Sequence, residues 1–230
     1  MNAFIKNDEI DTLSDDIEVT PIEKTPVMVK LLGQFLSVLF HPLFIPLYVS
    51  AFVLFVHPTV FAGFADAQKI RILAIVGVNL LLLPAVTVFL LWRLKFSGSI
   101  LLKTQRERII PYAATMFFSF WCWNVFRNLS FSPEVFNNFL FGVFLAIIMG
   151  WLANIYFKIS MHALGVGGML MFVILLSISG EGSPGLYIAA AILITGLTLS
   201  ARFMVSDHSS FEVYSGLLLG ALAQQIAIWV

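Results

Sequence analysis

The sequence predicts an all-α, polytopic transmembrane helical bundle of about six to seven spans, and three observations carry that expectation. Of 230 residues, 60% are hydrophobic and only 11% are charged, where a soluble domain carries roughly 25% charged residues. The mean hydropathy is +0.95, which leaves too little polar surface to coat a water-soluble globule. Runs of about 20 apolar residues, the length a helix needs to cross a hydrocarbon core about 30 Å thick, can be placed seven times. They cover 34–56, 71–92, 112–129, 136–157, 163–180, 186–205 and 213–230.

Residues 1–30 precede these runs as an acidic mobile tail, holding seven acids against Lys6, Lys24 and Lys30. Acidic residues stand where a secretory leader would carry a basic region, so no cleavable signal peptide is expected. Residues 31–230 form one transmembrane domain without internal repeat. The first run contains His41-Pro42 and Pro46; proline removes a helical hydrogen bond, so this run is expected to be kinked or split into an interfacial and a spanning piece. Breakers separate the others: His57-Pro58 and Gly63, Ser97-Gly98-Ser99, Ser132-Pro133, and Gly182-Ser183-Pro184-Gly185. Gly165, Gly167 and Gly168 fall inside the fifth run, where small residues permit close helix packing. Cys122 is the single cysteine, which excludes an intrachain disulfide and makes packing its expected role.

Basic and acidic residues number 13 each, which argues against a nucleic-acid partner bound by a strongly basic surface. The balance hides an asymmetry. Seven spans put the tail and the connections after spans 2, 4 and 6 on one side. That side collects Lys24, Lys30, Arg93, Lys95, Lys103, Arg106, Arg108, Lys158 and Arg202, with His162, Asp207, His208 and Glu212. The opposite side holds only Lys69, Arg71 and Arg127 among its Lys and Arg residues.

Three segments on the crowded side carry chemistry: Lys103-Thr-Gln-Arg106-Glu-Arg108-Ile-Ile-Pro111, Ser160-Met161-His162, and Arg202 with His208 six and Glu212 ten positions later. His208 and Glu212 are four apart, so on a helix they share a face, and the carboxylate can hold one imidazole nitrogen and fix its tautomer. The other nitrogen is then available as nucleophile or base. Arg202 supplies a planar cation suited to phosphate oxygens, and His162 offers a second imidazole as general acid.

These residues resemble the type-2 phosphatidic acid phosphatase superfamily, whose pattern is Lys-x6-Arg-Pro, Pro-Ser-Gly-His and Ser-Arg-x5-His-x3-Asp. The third part matches at Arg202 and His208, with Ala201 in place of serine and Glu212 in place of aspartate. In the second, Ser160 and His162 match, while Ile159 and Met161 replace proline and glycine. In the first, Lys103 and Pro111 have the family spacing, but Ile110 stands at the arginine position. Arg106 can substitute if the segment is helical, and Arg108 if it is irregular before Pro111. The resemblance spans roughly residues 95–225.

It implies a cofactor-free and metal-free phosphoryl transfer. His208 would attack phosphorus to form a phosphohistidine, oriented by Glu212, with His162 as acid and then base. Lys103, Arg106 or Arg108, Ser160 and Arg202 would bind the phosphate of a membrane lipid phosphate or prenyl diphosphate. Localisation in a bacterial inner membrane follows from the same resemblance. The Lys/Arg excess points the site to the cytoplasm, whereas bacterial members of that family usually face the periplasm. The departures at Ile110, Ile159 and Met161 motivate an alternative, a non-catalytic relative that binds lipid headgroups; a transporter is the third reading.

Overall fold

A computed structural model describes residues 26–98, 102, 104–179, 184–205 and 208–229. Among these residues the fold is all helical: α1 (Val27–Leu39), α2 (Ile45–Val56), α3 (Asp66–Arg93), α4 (Arg106–Arg127), α5 (Glu134–Tyr156), α6 (Met161–Ser179), α7 (Pro184–Val205) and α8 (Ser210–Ala227). Five of them, α3 to α7, are long and apolar enough to cross a membrane. The protein therefore has the architecture of an integral membrane bundle.

Two of the seven expected runs depart from a single long apolar helix, the first of them by the split its prolines predict. The first run is two helices, because Phe40–Phe44 breaks between α1 and α2 at His41-Pro42, while Pro46 sits in the first turn of α2, where its missing N–H is harmless. The last run forms the 18-residue α8, in which Glu212, Gln224 and Gln225 lower the apolar character below that of the other five. The expected tail also ends sooner: α1 already begins at Val27, and residues 1–25 lie outside the described residues.

The most extensive packing joins α6 to α8, with α5 against α8 and α7 against α6 around it. Glycines make the first contact possible. A β-carbon on Gly220 would overlap the Leu164 carbonyl, and one on Gly167 would overlap the Leu217 carbonyl. Aromatic side chains fill the α4–α5 seam instead: Trp123 lies 4.6 Å from Phe141 between ring centroids, and Phe126 meets Phe136 edge-on at 5.4 Å. Cys122 is buried there, as expected of a packing residue.

Within α3, a widened π turn at Val78–Leu82 immediately precedes Pro84. Proline at this position cannot donate to the helix and crowds the carbonyl one turn back; inserting a residue into the turn relieves that clash. Pro84 thereby faces inward, toward the cavity described below.

Gly220→Ala should lower the unfolding midpoint of the purified protein by several degrees, as expected for overpacking worth about 1–3 kcal/mol. Gly196→Ala, where a β-carbon would meet nothing within 4 Å, should leave the midpoint at or above the wild-type value. A thermal melt in detergent compares the two.

Candidate functional site

Five helix ends meet around one cavity of about 820 Å³. Arg108 enters it from the start of α4, Lys158 and His162 from the α5–α6 junction, Arg202 from the end of α7, and His208 from the α7–α8 connection. Residues separated by a hundred positions are thus brought to one end of the bundle.

The register between the second and third segments is set by backbone. Ser160 N–H donates to the Glu212 carbonyl at 3.2 Å, and Gly216 lets α8 approach the Ser160 carbonyl, which a β-carbon there would meet at 2.7 Å. His208 Nδ1 and a Glu212 carboxylate oxygen lie 3.1 Å apart, with the imidazole only 5% exposed. The same oxygen accepts the Ser209 N–H at 2.9 Å, while the Ser209 hydroxyl accepts the Glu212 N–H. This capping box opens α8 and locks the carboxylate that orients the histidine. One local motif therefore starts the helix and fixes the His208 tautomer, leaving Nε2 as the nitrogen not held by Glu212.

Arg108 is buried, and its guanidinium is anchored by two backbone carbonyls: Nε donates to Leu102 at 2.9 Å and Nη1 to Ile159 at 3.1 Å. Leu102 adopts φ 47°, a left-handed conformation uncommon for a residue with a side chain, and its carbonyl is the one that receives Arg108. α4 opens with the 3₁₀ turn Arg106–Arg108 and becomes α-helical only from Ile109. Arg108 consequently turns inward, whereas Arg106 is exposed and absent from the cavity wall. Glu107 anchors the preceding connection by accepting from Ser97 Oγ, Gly98 N and the Thr104 N–H and hydroxyl.

Among the described residues, two expected phosphate ligands, Arg106 and Ser160, do not line the cavity. Ser160 is fully buried at the α6 N-terminus, where its hydroxyl accepts the Ala163 N–H at 3.5 Å; helix capping uses the group that the resemblance would give to phosphate. Lys103 lies outside the described residues.

The first helix pair supplies groups that sequence reasoning missed. The Ser37 carbonyl accepts from His162 Nε2 at 3.0 Å, and the Ser37 hydroxyl lies 3.3 Å from Arg202 Nη1. His41 lines the cavity, its ring edge-on to His162 at 5.4 Å between centroids. The sequence signal is the His41-Pro42 dipeptide, which by itself predicts a kink or an interface turn. A smaller apolar cavity of about 80 Å³ adjoins this site and shares Pro42, Leu43, Thr115 and Met161 with it. Among the described residues, no three His, Cys, Asp or Glu side chains gather closely enough to hold a metal ion.

Burial pushes the His208 imidazole below its usual range; the Glu212 hydrogen bond and charge pull it up, and the Arg202 and Arg108 charges push it down. The unfolded chain therefore takes up this proton first, so the stability tied to neutral His208 is present above about pH 6.5 and declines as pH falls. Comparison with protein-family models, curated proteins and solved structures finds no match.

Glu212→Gln keeps a side chain that can close the capping box but removes the charge that favours imidazolium. His208 should then protonate at still lower pH. Carbethoxylation of His208 followed by mass spectrometry across pH 4.5–8 should show its midpoint moving downward; an upward move contradicts this account of the pair.

Proposed function

We propose that the protein is a membrane-embedded lipid phosphatase acting on a lipid phosphate or prenyl diphosphate through a phosphohistidine. The observation that supports this reading best is the convergence of Arg108, His162, Arg202 and His208 on one cavity, with His208 Nδ1 already held by Glu212.

In this mechanism the lone pair of His208 Nε2 forms a bond to phosphorus as the bond to the lipid oxygen breaks. The departing oxygen takes the electron pair and a proton from His162. Because the Ser37 carbonyl accepts from His162 Nε2–H, His162 acts as the imidazolium: a second proton, taken up on Nδ1 from water as the anionic substrate binds, passes to the departing oxygen. In the second step His162 removes a proton from water, the water oxygen attacks phosphorus, and the N–P electron pair returns to His208. Arg108 and Arg202 supply fixed positive charge for the equatorial oxygens, and no reorganisation is needed because both are held before substrate arrives.

The apolar cavity next to the site suits part of an acyl or prenyl chain, which keeps the headgroup at the charged end while the tail remains among helices. A bacterial inner membrane is the proposed location.

Full-length protein in detergent should release phosphate from a panel of lipid phosphates and prenyl diphosphates with a chelator present. His208→Ala should abolish release, and retained activity would defeat the proposal. Arg108→Ala should lower kcat by roughly 10² to 10³, the range for one lost charge-stabilising donor, while Arg106→Ala should remain near wild type. Headgroup binding without turnover across the panel would favour the non-catalytic alternative.

A further inference from the structure

Helix α1 and the segment that joins it to α2 lie outside the stretch that resembles a phosphatase, yet they form part of the cavity wall through Gln34, Ser37 and His41. Ser37 already has a role, since it holds His162 and contacts Arg202. His41 has none in the mechanism above.

Its ring is oriented by its own loop. The Leu43 N–H points at His41 Nδ1 at 3.4 Å, which makes Nδ1 the acceptor and leaves the proton on Nε2. Among the described residues no group accepts from Nε2, and this atom is not one of the buried polar atoms without a partner, so it is accessible on a ring that lines the cavity. Burial, and then the Arg202 charge, hold the imidazole below its usual range, so the neutral Nε2–H form persists at neutral pH. A neutral ring with this tautomer can donate a hydrogen bond at Nε2 but has no lone pair there to act as a base. His162 presents the opposite arrangement, with Nε2 engaged and Nδ1 available for proton transfer.

The phosphate cradle also has a gap. Ile110 occupies the position where the resembling family carries arginine, and it is 53% exposed; Arg106 is exposed as well. We infer that His41 is a phosphate-binding residue, donating from Nε2–H to a non-bridging oxygen of the transferring phosphoryl group and completing a cradle whose other members are Arg108 and Arg202. This rests on the phosphatase reading and assigns a ligand contact to the α1–α2 junction, which that reading does not use. His41 moves no proton in the reaction; it donates a hydrogen bond that shortens as charge grows on the oxygen.

Two variants of the full-length protein separate this role from packing. His41→Phe keeps a ring that can meet His162 and Phe44 but removes the donor; His41→Gln restores a donor without the aromatic ring. Inorganic orthovanadate, which mimics the five-coordinate phosphoryl group, serves as the inhibitor, with lipid turnover measured in parallel. His41→Phe should weaken vanadate inhibition about tenfold, the effect of losing one hydrogen bond worth about 1.4 kcal/mol, and lower kcat more than it raises KM. His41→Gln should recover most of both, and the pH profile of either variant should keep the wild-type shape. Unchanged vanadate inhibition in His41→Phe, no recovery in His41→Gln, or the loss of one limb of the pH profile would overturn the assignment while leaving the phosphatase reading intact. A wild-type protein that neither turns over lipid nor responds to vanadate would overturn the phosphatase reading. Titration calorimetry with inorganic phosphate would then decide His41 separately, since equal affinity in wild type and His41→Phe removes it from any anion site.

Discussion

The close approach of the α6 and α8 backbones is the constraint on which the rest of this structure depends. Without a hydrophobic force between helices in lipid, association relies on packing and on hydrogen bonds across the interface. Gly167 and Gly220 bring each backbone against a carbonyl of the other helix, and Ser160 N–H then reaches the Glu212 carbonyl. Those contacts fix the separation of His162 from His208, because each histidine sits within a few residues of the seam. A bundle that lost them could keep its helices and still lose the alignment of two imidazoles.

Around that seam Arg108 is held by backbone carbonyls: it donates to those of Leu102 and Ile159, which satisfies part of its guanidinium without cancelling its charge. Glu212 is different, since its carboxylate serves the His208 imidazole and the α8 capping box together. Positive potential therefore survives at the mouth of the cavity, in surroundings where low dielectric makes each charge count for more. The proposed ligand, an anionic headgroup, would meet that potential, and the adjoining apolar space would take part of the chain attached to it.

Much of this was legible along the chain and some was not. The His208–Glu212 pairing follows from a spacing of four plus a serine at the start of a helix, both local features. The choice between Arg106 and Arg108 did not, because it turns on whether three residues before Pro111 form an α or a 3₁₀ turn. Ser160 matched a motif in type and position, but the α6 N-terminus uses its hydroxyl as a cap. The roles of Ser37 and His41 were hidden for another reason. Nothing in their own neighbourhood marks them, and the proline beside His41 suggested a bend with no indication of what the bend would face. The two weakest of the seven runs take the form their composition suggests: the proline-interrupted run is two short helices, and the run containing glutamines is α8, less apolar than α3 to α7.

By itself the sequence determined the class of the protein, the placement of its charges at one end of the helices and the identity of the histidine–carboxylate pair. Composition and short-range spacing are sufficient for these, since apolar length selects helices in a bilayer and a four-residue separation closes a contact on one helix face. The tertiary structure decided which charges share the cavity. That outcome depends on helix rotation, on where carbonyls lie to anchor Arg108, and on the return of α1 to bring Ser37 and His41 beside His162 and Arg202. The contacts of Ser37 join residues more than 100 positions apart, and the energies of all of these depend on surfaces that exist only once the helices have packed.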